Sequence, residues 1–188
     1  MPSPAPTTDK QRLRKQVAEL FKARDKQELV RLSEKVTAKI EQCDWFAGAR
    51  KVACFHSLSD EVNTHAFIEK WAGTKELYLP VILNDYHMEL RRFVPGCEVS
   101  FNHYNIAEPS GSSCCNSEEI ELFLIPGIAF DRSLHRLGRG KGYYDRLLQN
   151  TTAKKAGLCF DFQLFDTVPH TTHDIAMDIL FTPSPSQY

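Results

Sequence analysis

The sequence predicts a single α/β domain, a three-layer α/β/α sandwich with a largely parallel, Rossmann-like central sheet. Short apolar runs typical of buried strands alternate along the chain with segments of helical periodicity, which favours a parallel sheet flanked by helices. The 188 residues, 42% hydrophobic and 25% charged, are enough for one sizeable core. We therefore place the domain at residues 9–188 and expect residues 1–8, which include three prolines, to form a mobile tail.

Two amphipathic helices open the predicted domain. The first begins near Asp9, and its apolar residues recur at helical spacing as far as Phe21. The second is predicted to be capped by Asp25 and to end near Cys43. The first helix begins with a basic cluster, which its dipole disfavours unless an anion lies beside it: Lys10, Arg12, Arg14 and Lys15.

Strands and short helices alternate in the rest of the chain. One short helix is predicted to follow Thr64 and to close at Gly73, and another to span residues 143–148. We expect residues 102–117, rich in Asn, Ser, Gly and Cys, to form a surface loop. The predicted strands are residues 51–55, 76–80, 88–94, 120–125, 156–160 and 177–181, with 88–94 at an edge of the sheet.

Charge and composition narrow the function classes. Lys and Arg number 23 and Asp and Glu number 24, so the net charge of −1 gives no overall attraction to nucleic acid or to an anionic membrane. There is neither an apolar run of membrane-spanning length nor a signal-peptide pattern, and the six cysteines form no C-x-x-C pair. We expect a cytoplasmic, monomeric protein with reduced thiols and with neither a nucleic-acid nor a membrane partner.

The segment Gly138-Arg-Gly-Lys-Gly142 alternates three glycines with two cations. Glycine lets the backbone approach an anion closely, the cations flank it, and the helix predicted next would point amide groups at the same place. The segment therefore predicts a polyphosphate site, although a flexible solvated loop remains the alternative. It is neither a Walker A loop, because Gly142 follows Lys141, nor a convincing dinucleotide fingerprint, because its glycine spacing differs.

Carboxylates near this segment suggest a cation site. Asp145 begins the helix after the glycine-rich segment, where its carboxylate is either a simple helix-end charge or a magnesium ligand beside phosphates. Asp178, in a predicted strand, is the candidate second ligand. Asp60 or Glu61 could face a ligand where the first strand ends, or these polar residues could equally form only the turn before Thr64. His170 and His173 are weak evidence for zinc, because no third ligand is obvious.

The chain resembles the 5-formyltetrahydrofolate cyclo-ligase family, also called 5,10-methenyltetrahydrofolate synthetase. The similarity rests on Pro126-Gly-Ile-Ala-Phe-Asp131 followed by Arg136-Leu-Gly-Arg-Gly-Lys-Gly-Tyr-Tyr-Asp145, supported by residues 10–14, 57–64 and 174–178. The resemblance implies conversion of 5-formyltetrahydrofolate to 5,10-methenyltetrahydrofolate with ATP and Mg²⁺, releasing ADP and phosphate. The formyl oxygen would be phosphorylated, and N10 would then close the ring.

The resemblance also implies roles for individual residues. Arg139, Lys141 and Tyr143 would be catalytic, and Asp145 and Asp178 would hold Mg²⁺. The residues implied to contact ATP are Lys10, Arg14, Arg136, Gly138, Arg139, Gly140, Lys141, Gly142 and Tyr144. Those implied to contact the folate are His56, Glu61, Arg139, Gly140, Lys141, Gly142 and Tyr143, with His56 standing where the family commonly has an apolar residue.

Two other functions stay open at this point. The same architecture could serve a sugar-phosphate isomerase or acyl-coenzyme A transferase relative, although no glutamate nucleophile motif is evident. A nucleotide-binding regulatory module without catalysis is the other alternative. The presence of Lys141, Asp145 and Asp178 argues against the latter.

Overall fold

The computed structural model describes residues 8–96, 99–101, 107–109 and 113–185. Its α-helices are α1 (Asp9–Lys22), α2 (Lys26–Glu41), α3 (Asp44–Gly48), α4 (His65–Trp71) and α5 (Tyr143–Leu147), and two 3-10 turns span Ser117–Glu119 and Asp161–Gln163. Its strands are β1 (Lys51–Ala53), β2 (Glu76–Ile82), β3 (Met88–Phe93), β4 (Val99–Phe101), β5 (Ala107–Pro109), β6 (Cys114–Cys115), β7 (Leu122–Pro126), β8 (Ala129–Asp131), β9 (Arg136–Leu137), β10 (Lys154–Leu158), β11 (Leu164–Phe165) and β12 (Ile179–Phe181).

A seven-stranded sheet in the order β12-β10-β7-β1-β2-β3-β6 forms the centre of the fold. The five strands from β12 to β2 are parallel, and β3 and β6 complete the sheet through antiparallel pairs. The predicted mixed α/β domain with a largely parallel sheet is therefore confirmed. The prediction that residues 88–94 form an edge strand is wrong, because β6 pairs with the outer side of β3.

The two faces of the sheet bury different layers. Alternate residues such as Val52 and Leu124 pack with Phe46 and Phe67 of helices α3 and α4, and α2 joins them. The residues between them, such as Phe123, pack on the opposite face with Leu148 after α5 and with the small sheet formed by β11, β8 and β9. The second outer layer is thus one short helix together with a small sheet, where the sequence predicted helices alone.

Helix α1 packs on the small sheet through Leu13 and Val17, which contact Ala129, Leu137 and Val168. Its N-terminus is closed by a capping box between Thr8 and Gln11. Thr8 therefore belongs to the folded domain, whereas the rest of the predicted mobile tail lies outside the described residues.

Several local predictions differ from the structure. Thr64 precedes α4 as predicted, but its hydroxyl donates to the carbonyl of Phe55 and does not cap the helix. The predicted loop at residues 102–117 lies partly outside the described residues, and its described part includes β5 and β6. The described cysteines are free thiols, as predicted, while Cys97 lies outside the described residues. Among the described residues, no helix has the length and apolarity needed to cross a membrane.

Candidate active site

A cavity of about 470 Å³ opens where β1, β2 and β7 end. Its lining includes Phe55 and His56 after β1, Ile82 at the end of β2, and Pro126 at the end of β7. These strands are parallel, so their carboxyl ends meet at one edge of the sheet, which is the edge where open α/β sheets bind ligands.

The glycine-rich segment forms one wall of this cavity. Gly140 and Gly142 have φ values of +103° and +68°, a backbone conformation that residues other than glycine rarely adopt. A Cβ atom on Gly140 would lie 3.3 Å from Nη2 of Arg14, and Nε of Arg14 donates to the carbonyl of Gly138 across 2.9 Å. Glycine at position 140 therefore lets a cation of α1 pack against the loop.

The basic start of α1 faces the same cavity. Lys10 and Arg14 both line it, while Leu13 and Val17 on the other face of the helix are buried. Nζ of Lys10 lies 2.7 Å from Oδ2 of Asp174. The start of α1 and the glycine-rich segment therefore line one cavity, and the contacts with ATP implied for Lys10 and Arg14 stay predictions.

Arg136 runs beneath the glycine-rich segment, with its side chain only 4% exposed. Its Nη2 lies 3.1 Å from Oδ1 of Asp145, and its Nη1 donates to the carbonyl of Pro126. The guanidinium also lies 5.3 Å from the ring centroid of Tyr144. Arg136 therefore supports Asp145 and the loop from below, and its predicted contact with ATP stays a prediction.

Two carboxylates, those of Asp145 and Asp174, line the cavity. Oδ1 of Asp145 accepts the backbone N–H of Ile175, the residue after Asp174, across 3.2 Å. Oδ2 of Asp174 accepts Lys10 and the N–H and hydroxyl of Thr171. Within the described part of the chain, the second oxygen of each carboxylate accepts no hydrogen bond and is available to a ligand.

The environment of Asp174 favours its ionised form. Burial opposes ionisation, but the hydrogen bonds from Lys10 and Thr171 outweigh it and lower the pKa of Asp174. Asp174 is therefore a carboxylate at neutral pH, as a cation site requires.

The structure contradicts the prediction that Asp178 joins Asp145. Because Ala156 pairs with Ile179, Asp178 lies just before β12, at the amino ends of β10 and β12. There its Oδ2 accepts the backbone N–H of Lys155 at 2.7 Å and pairs with Nζ of the same residue at 3.0 Å. The cavity is at the opposite edge of the sheet, where Asp174 lines it together with Asp145 and Asp178 does not.

An ion-pair cluster joins the loop after β1 to the glycine-rich segment. Nη2 of Arg139 lies 2.5 Å from Oδ1 of Asp60 and 3.1 Å from Oε1 of Glu61. The side chain of Glu61 is 10% exposed, and its Oε2 accepts the N–H of Leu58. Burial raises the pKa of Glu61, although Leu58 and Arg139 oppose the rise. Arg139 is likewise partly desolvated, but the two carboxylates outweigh this effect and raise its pKa.

The remaining wall is mainly apolar. His56 completes it and stacks on His65 at a centroid distance of 3.8 Å. Nε2 of His65 lies 3.0 Å from the carbonyl of Ser57, which holds the stack in place. Burial and the neighbouring His65 lower the pKa of His56 to about 4, so the ring is neutral near pH 7. The apolar part of this wall consists of Phe55, Leu58, Pro80, Ile82 and Met88.

The segment after Gly140 faces the hairpin between β2 and β3. Nζ of Lys141 lies 3.2 Å from Oδ1 of Asp85, and the hydroxyl of Tyr143 donates to the carbonyl of Asn84 across 3.0 Å. Tyr144 points inward, and burial raises the pKa of its phenol. Lys141, Tyr143 and Tyr144 all line the cavity.

The cavity lining contains every site residue that the family resemblance implied except Asp178. The predicted residues that line it are Lys10, Arg14, His56, Glu61, Arg136, Gly138, Arg139, Gly140, Lys141, Gly142, Tyr143, Tyr144 and Asp145. Sequence reasoning missed Asp174, although it lies within the matched segment 174–178. Its position could have identified it, because Asp174 lies in the loop before the last strand, whereas Asp178 directly precedes that strand.

The histidines considered for zinc do not act together. His170 stacks on His135 with ring centroids 3.5 Å apart and planes at 9°, near Asp131. The oxygens of Asp131 already accept hydrogen bonds from three backbone N–H groups and from Nδ1 of His135. Nearly parallel rings do not converge their nitrogen lone pairs on one ion, so we interpret the cluster as the closure of the β8–β9 hairpin.

Comparison with known proteins agrees with this geometry. A mouse 5-formyltetrahydrofolate cyclo-ligase is 28% identical over 193 residues, covering 94% of this chain and 95% of that protein. The enzyme of the same name from Escherichia coli K12 is 33% identical over 144 residues, covering 72% and 79%. The solution structure of Aquifex aeolicus 5,10-methenyltetrahydrofolate synthetase superimposes with a TM-score of 0.86 at 34% identity, covering 95% and 91%.

The match extends over nearly all of the fold. The model of the 5-formyltetrahydrofolate cyclo-ligase family matches residues 6–183, a span that contains every residue of the cavity lining. The isomerase and transferase alternatives are therefore set aside. This chain belongs to the 5-formyltetrahydrofolate cyclo-ligase family.

Proposed function

We propose that this protein converts 5-formyltetrahydrofolate to 5,10-methenyltetrahydrofolate at the expense of ATP. The observation that carries the proposal is a single cavity with two chemically different halves. One half is a cationic glycine-rich wall suited to phosphates, and the other is a mainly apolar wall with a carboxylate, Glu61, whose side chain is only 10% exposed, suited to a pterin. Family membership supports the same reaction.

The reaction requires two bond-forming steps in one enclosed place. The formyl oxygen attacks the γ-phosphorus of ATP and ADP leaves, which converts a poor leaving oxygen into phosphate. N10 then attacks the activated carbon, loses its proton and expels phosphate, giving the methenyl bridge. The protein positions the reactants and neutralises charge, so cations around the moving phosphoryl group are its main catalytic contribution.

We assign the ATP half to the glycine-rich segment and the start of α1. Lys10, Arg14 and Lys141 line the cavity close to glycines whose backbone admits an anion. Arg139 is assigned to the transferred phosphoryl group, because a guanidinium contacts two oxygens with fixed geometry. On the folate side, Glu61 would accept hydrogen bonds from the pterin, and Tyr143 and His56 would contact its rings.

We assign the magnesium ion to Asp145 and Asp174. The donor set fits, because each carboxylate has an oxygen not engaged by the described residues and Mg²⁺ commonly combines one or two carboxylates with substrate phosphates. When bound, the ion would neutralise charge on the phosphates. Lys10 and Arg136 orient the two carboxylates for this task.

Product formation tests the proposal directly. The protein is incubated with 5-formyltetrahydrofolate, ATP and Mg²⁺, and the near-ultraviolet absorbance of the methenyl product is followed. We expect product only when all three are present, with one ADP formed per methenyl group. ADP formation independent of the folate, or no product in the complete mixture, would overturn the assignment.

A further inference from the structure

Arg139 is bound by two consecutive carboxylates of the loop after β1. A single nitrogen, Nη2, contacts both Oδ1 of Asp60 at 2.5 Å and Oε1 of Glu61 at 3.1 Å. These two ion pairs thus hold, at the folate side of the cavity, the residue that the proposed function places on the transferred phosphoryl group.

The carboxylates of Asp60 and Glu61 differ in whether a ligand in the cavity can contact them. Glu61 lines the cavity and is 10% exposed, whereas Asp60 lies outside the lining and is 39% exposed. A pterin entering the cavity therefore competes with Arg139 for Glu61 and leaves Asp60 untouched. Asp60 can hold Arg139 without contacting either substrate.

We propose, building on the function proposed above, that Asp60 is a positioning residue that couples folate binding to ATP binding. Asp60 and Glu61 together hold Arg139 away from the phosphate half of the cavity. When the pterin takes the carboxylate of Glu61, Arg139 keeps one exposed partner, and an exposed ion pair is weak enough for the triphosphate to replace it. Arg139 then moves to the phosphoryl group only when the folate is in place.

The coupling follows from the populations of two arrangements of Arg139. If only the released arrangement binds the triphosphate fully, the apparent dissociation constant of ATP is the intrinsic one divided by the released fraction. The folate raises that fraction, and by reciprocity ATP tightens folate binding by the same factor. Loss of Asp60 raises the fraction without the folate.

The test measures binding of a non-hydrolysable ATP analogue with Mg²⁺, with and without saturating 5-formyltetrahydrofolate. For the unaltered protein we expect the folate to tighten analogue binding by about five-fold or more. For Asp60→Asn we expect analogue binding without folate to tighten about three-fold and the effect of the folate to fall below about two-fold. Asp60→Glu should retain most of the coupling, because it keeps the charge.

The matched control is Asp166→Asn, the same change at an exposed residue outside the cavity lining. It should leave both affinities as in the unaltered protein. Coupling that is absent from the unaltered protein, unchanged in Asp60→Asn, or equally altered in Asp166→Asn would overturn the proposal. The proposal would also be overturned if Asp60→Asn weakened analogue binding equally with and without the folate, because that result indicates a structural role for Asp60.

Methenyl formation by the unaltered protein, measured with ATP in parallel, separates this proposal from the proposed function. Product formation with no change of coupling in Asp60→Asn rejects the role of Asp60 and leaves the function standing. Absence of product rejects the function and, with it, the role assigned to Asp60.

Discussion

Nη2 of Arg136 lies 3.1 Å from Oδ1 of Asp145 beneath the glycine-rich segment, in a pair whose arginine is almost fully enclosed. Nη1 of Arg136 would lie 2.9 Å from a Cβ atom on Gly138, so the arginine is packed tightly under the loop. The pair fixes one oxygen of Asp145 and leaves the other to the cavity. The orientation of the proposed magnesium ligand therefore depends on a residue buried beneath the loop.

Loss of Arg136 is expected to destabilise the fold. Arg136→Met leaves Asp145 with an uncompensated, partly buried charge, so the free energy of unfolding should fall by about 2–3 kcal/mol. Urea denaturation followed by circular dichroism measures the change. Arg12→Met, which breaks an exposed pair with Asp9, should alter stability by less than about 0.5 kcal/mol. Equal effects of the two substitutions would contradict the assigned importance of the buried pair.

A comparison of Asp174 with Asp178 tests the magnesium assignment. Asp174→Asn should raise the magnesium concentration needed for half-maximal turnover by about ten-fold, because it removes a ligand charge while keeping the side-chain shape. Asp178→Asn should leave this concentration within about two-fold of its original value, since Asp178 pairs with Lys155 at the other edge of the sheet. The assignment is wrong if Asp178→Asn has the larger effect.

Arg139→Lys should lower turnover more than ATP affinity. Lysine keeps the positive charge but cannot contact two phosphoryl oxygens in a fixed geometry, so we expect kcat to fall by about ten-fold, equivalent to ~1.4 kcal/mol of transition-state stabilisation. Steady-state kinetics at saturating folate separate kcat from the KM for ATP. A normal kcat with a raised KM would identify Arg139 as a ground-state binder.

Gly140→Ala should impair both the loop and ATP use. An alanine at φ +103° is strained by about 1–3 kcal/mol, and its Cβ atom would press on Arg14. We expect a raised KM for ATP and a lowered midpoint of thermal unfolding. Gly48→Ala is the control, because a Cβ atom there meets nothing within 4 Å and φ is ordinary. A KM for ATP that is unchanged in Gly140→Ala would show that the loop tolerates displacement of Arg14.

The neutral His56 predicts a pH dependence of stability. Its pKa is lowered from 6.5 to about 4 in the folded protein, so the unfolded chain binds more protons between these values. The contribution of neutral His56 to the free energy of unfolding is therefore fully present above pH 6.5 and decreases as the pH falls towards 4. Urea denaturation at pH 7.5, 6 and 5 should show a smaller loss for His56→Gln than for the unaltered protein. His173→Gln, at an exposed histidine, should keep the original dependence.

Sequence reasoning succeeded where the chemistry is local. The glycine-rich segment and the facing side chains Lys10 and Arg14 follow from residue spacing, and both line the cavity. It failed where the answer depends on where a strand begins. Asp174 and Asp178 are four residues apart, and only the pairing of Ala156 with Ile179 shows which edge of the sheet each occupies. Local patterns do not carry that register.

The small sheet was missed for a related reason. Strands β8 and β9 contain three and two residues, and polar side chains lie between them, so neither shows a strand pattern of its own. The two strands pair with each other and pack against α1 in the folded protein, which are contacts that the local sequence does not show. The chain of contacts around Arg139 likewise joins residues 60, 61 and 139, and no local pattern predicts such a pairing.

The contacts of α1 also constrain the order in which the active protein can form. Lys10 meets Asp174 across 164 positions of sequence, and Arg14 meets Gly138 across 124. During synthesis on the ribosome, α1 emerges before the segments that it contacts, so Lys10 and Arg14 cannot make these two contacts until residues 174 and 138 have been added. Loops of this length close slowly compared with helix formation. Binding competence should therefore appear late in folding, after most of the parallel sheet has formed.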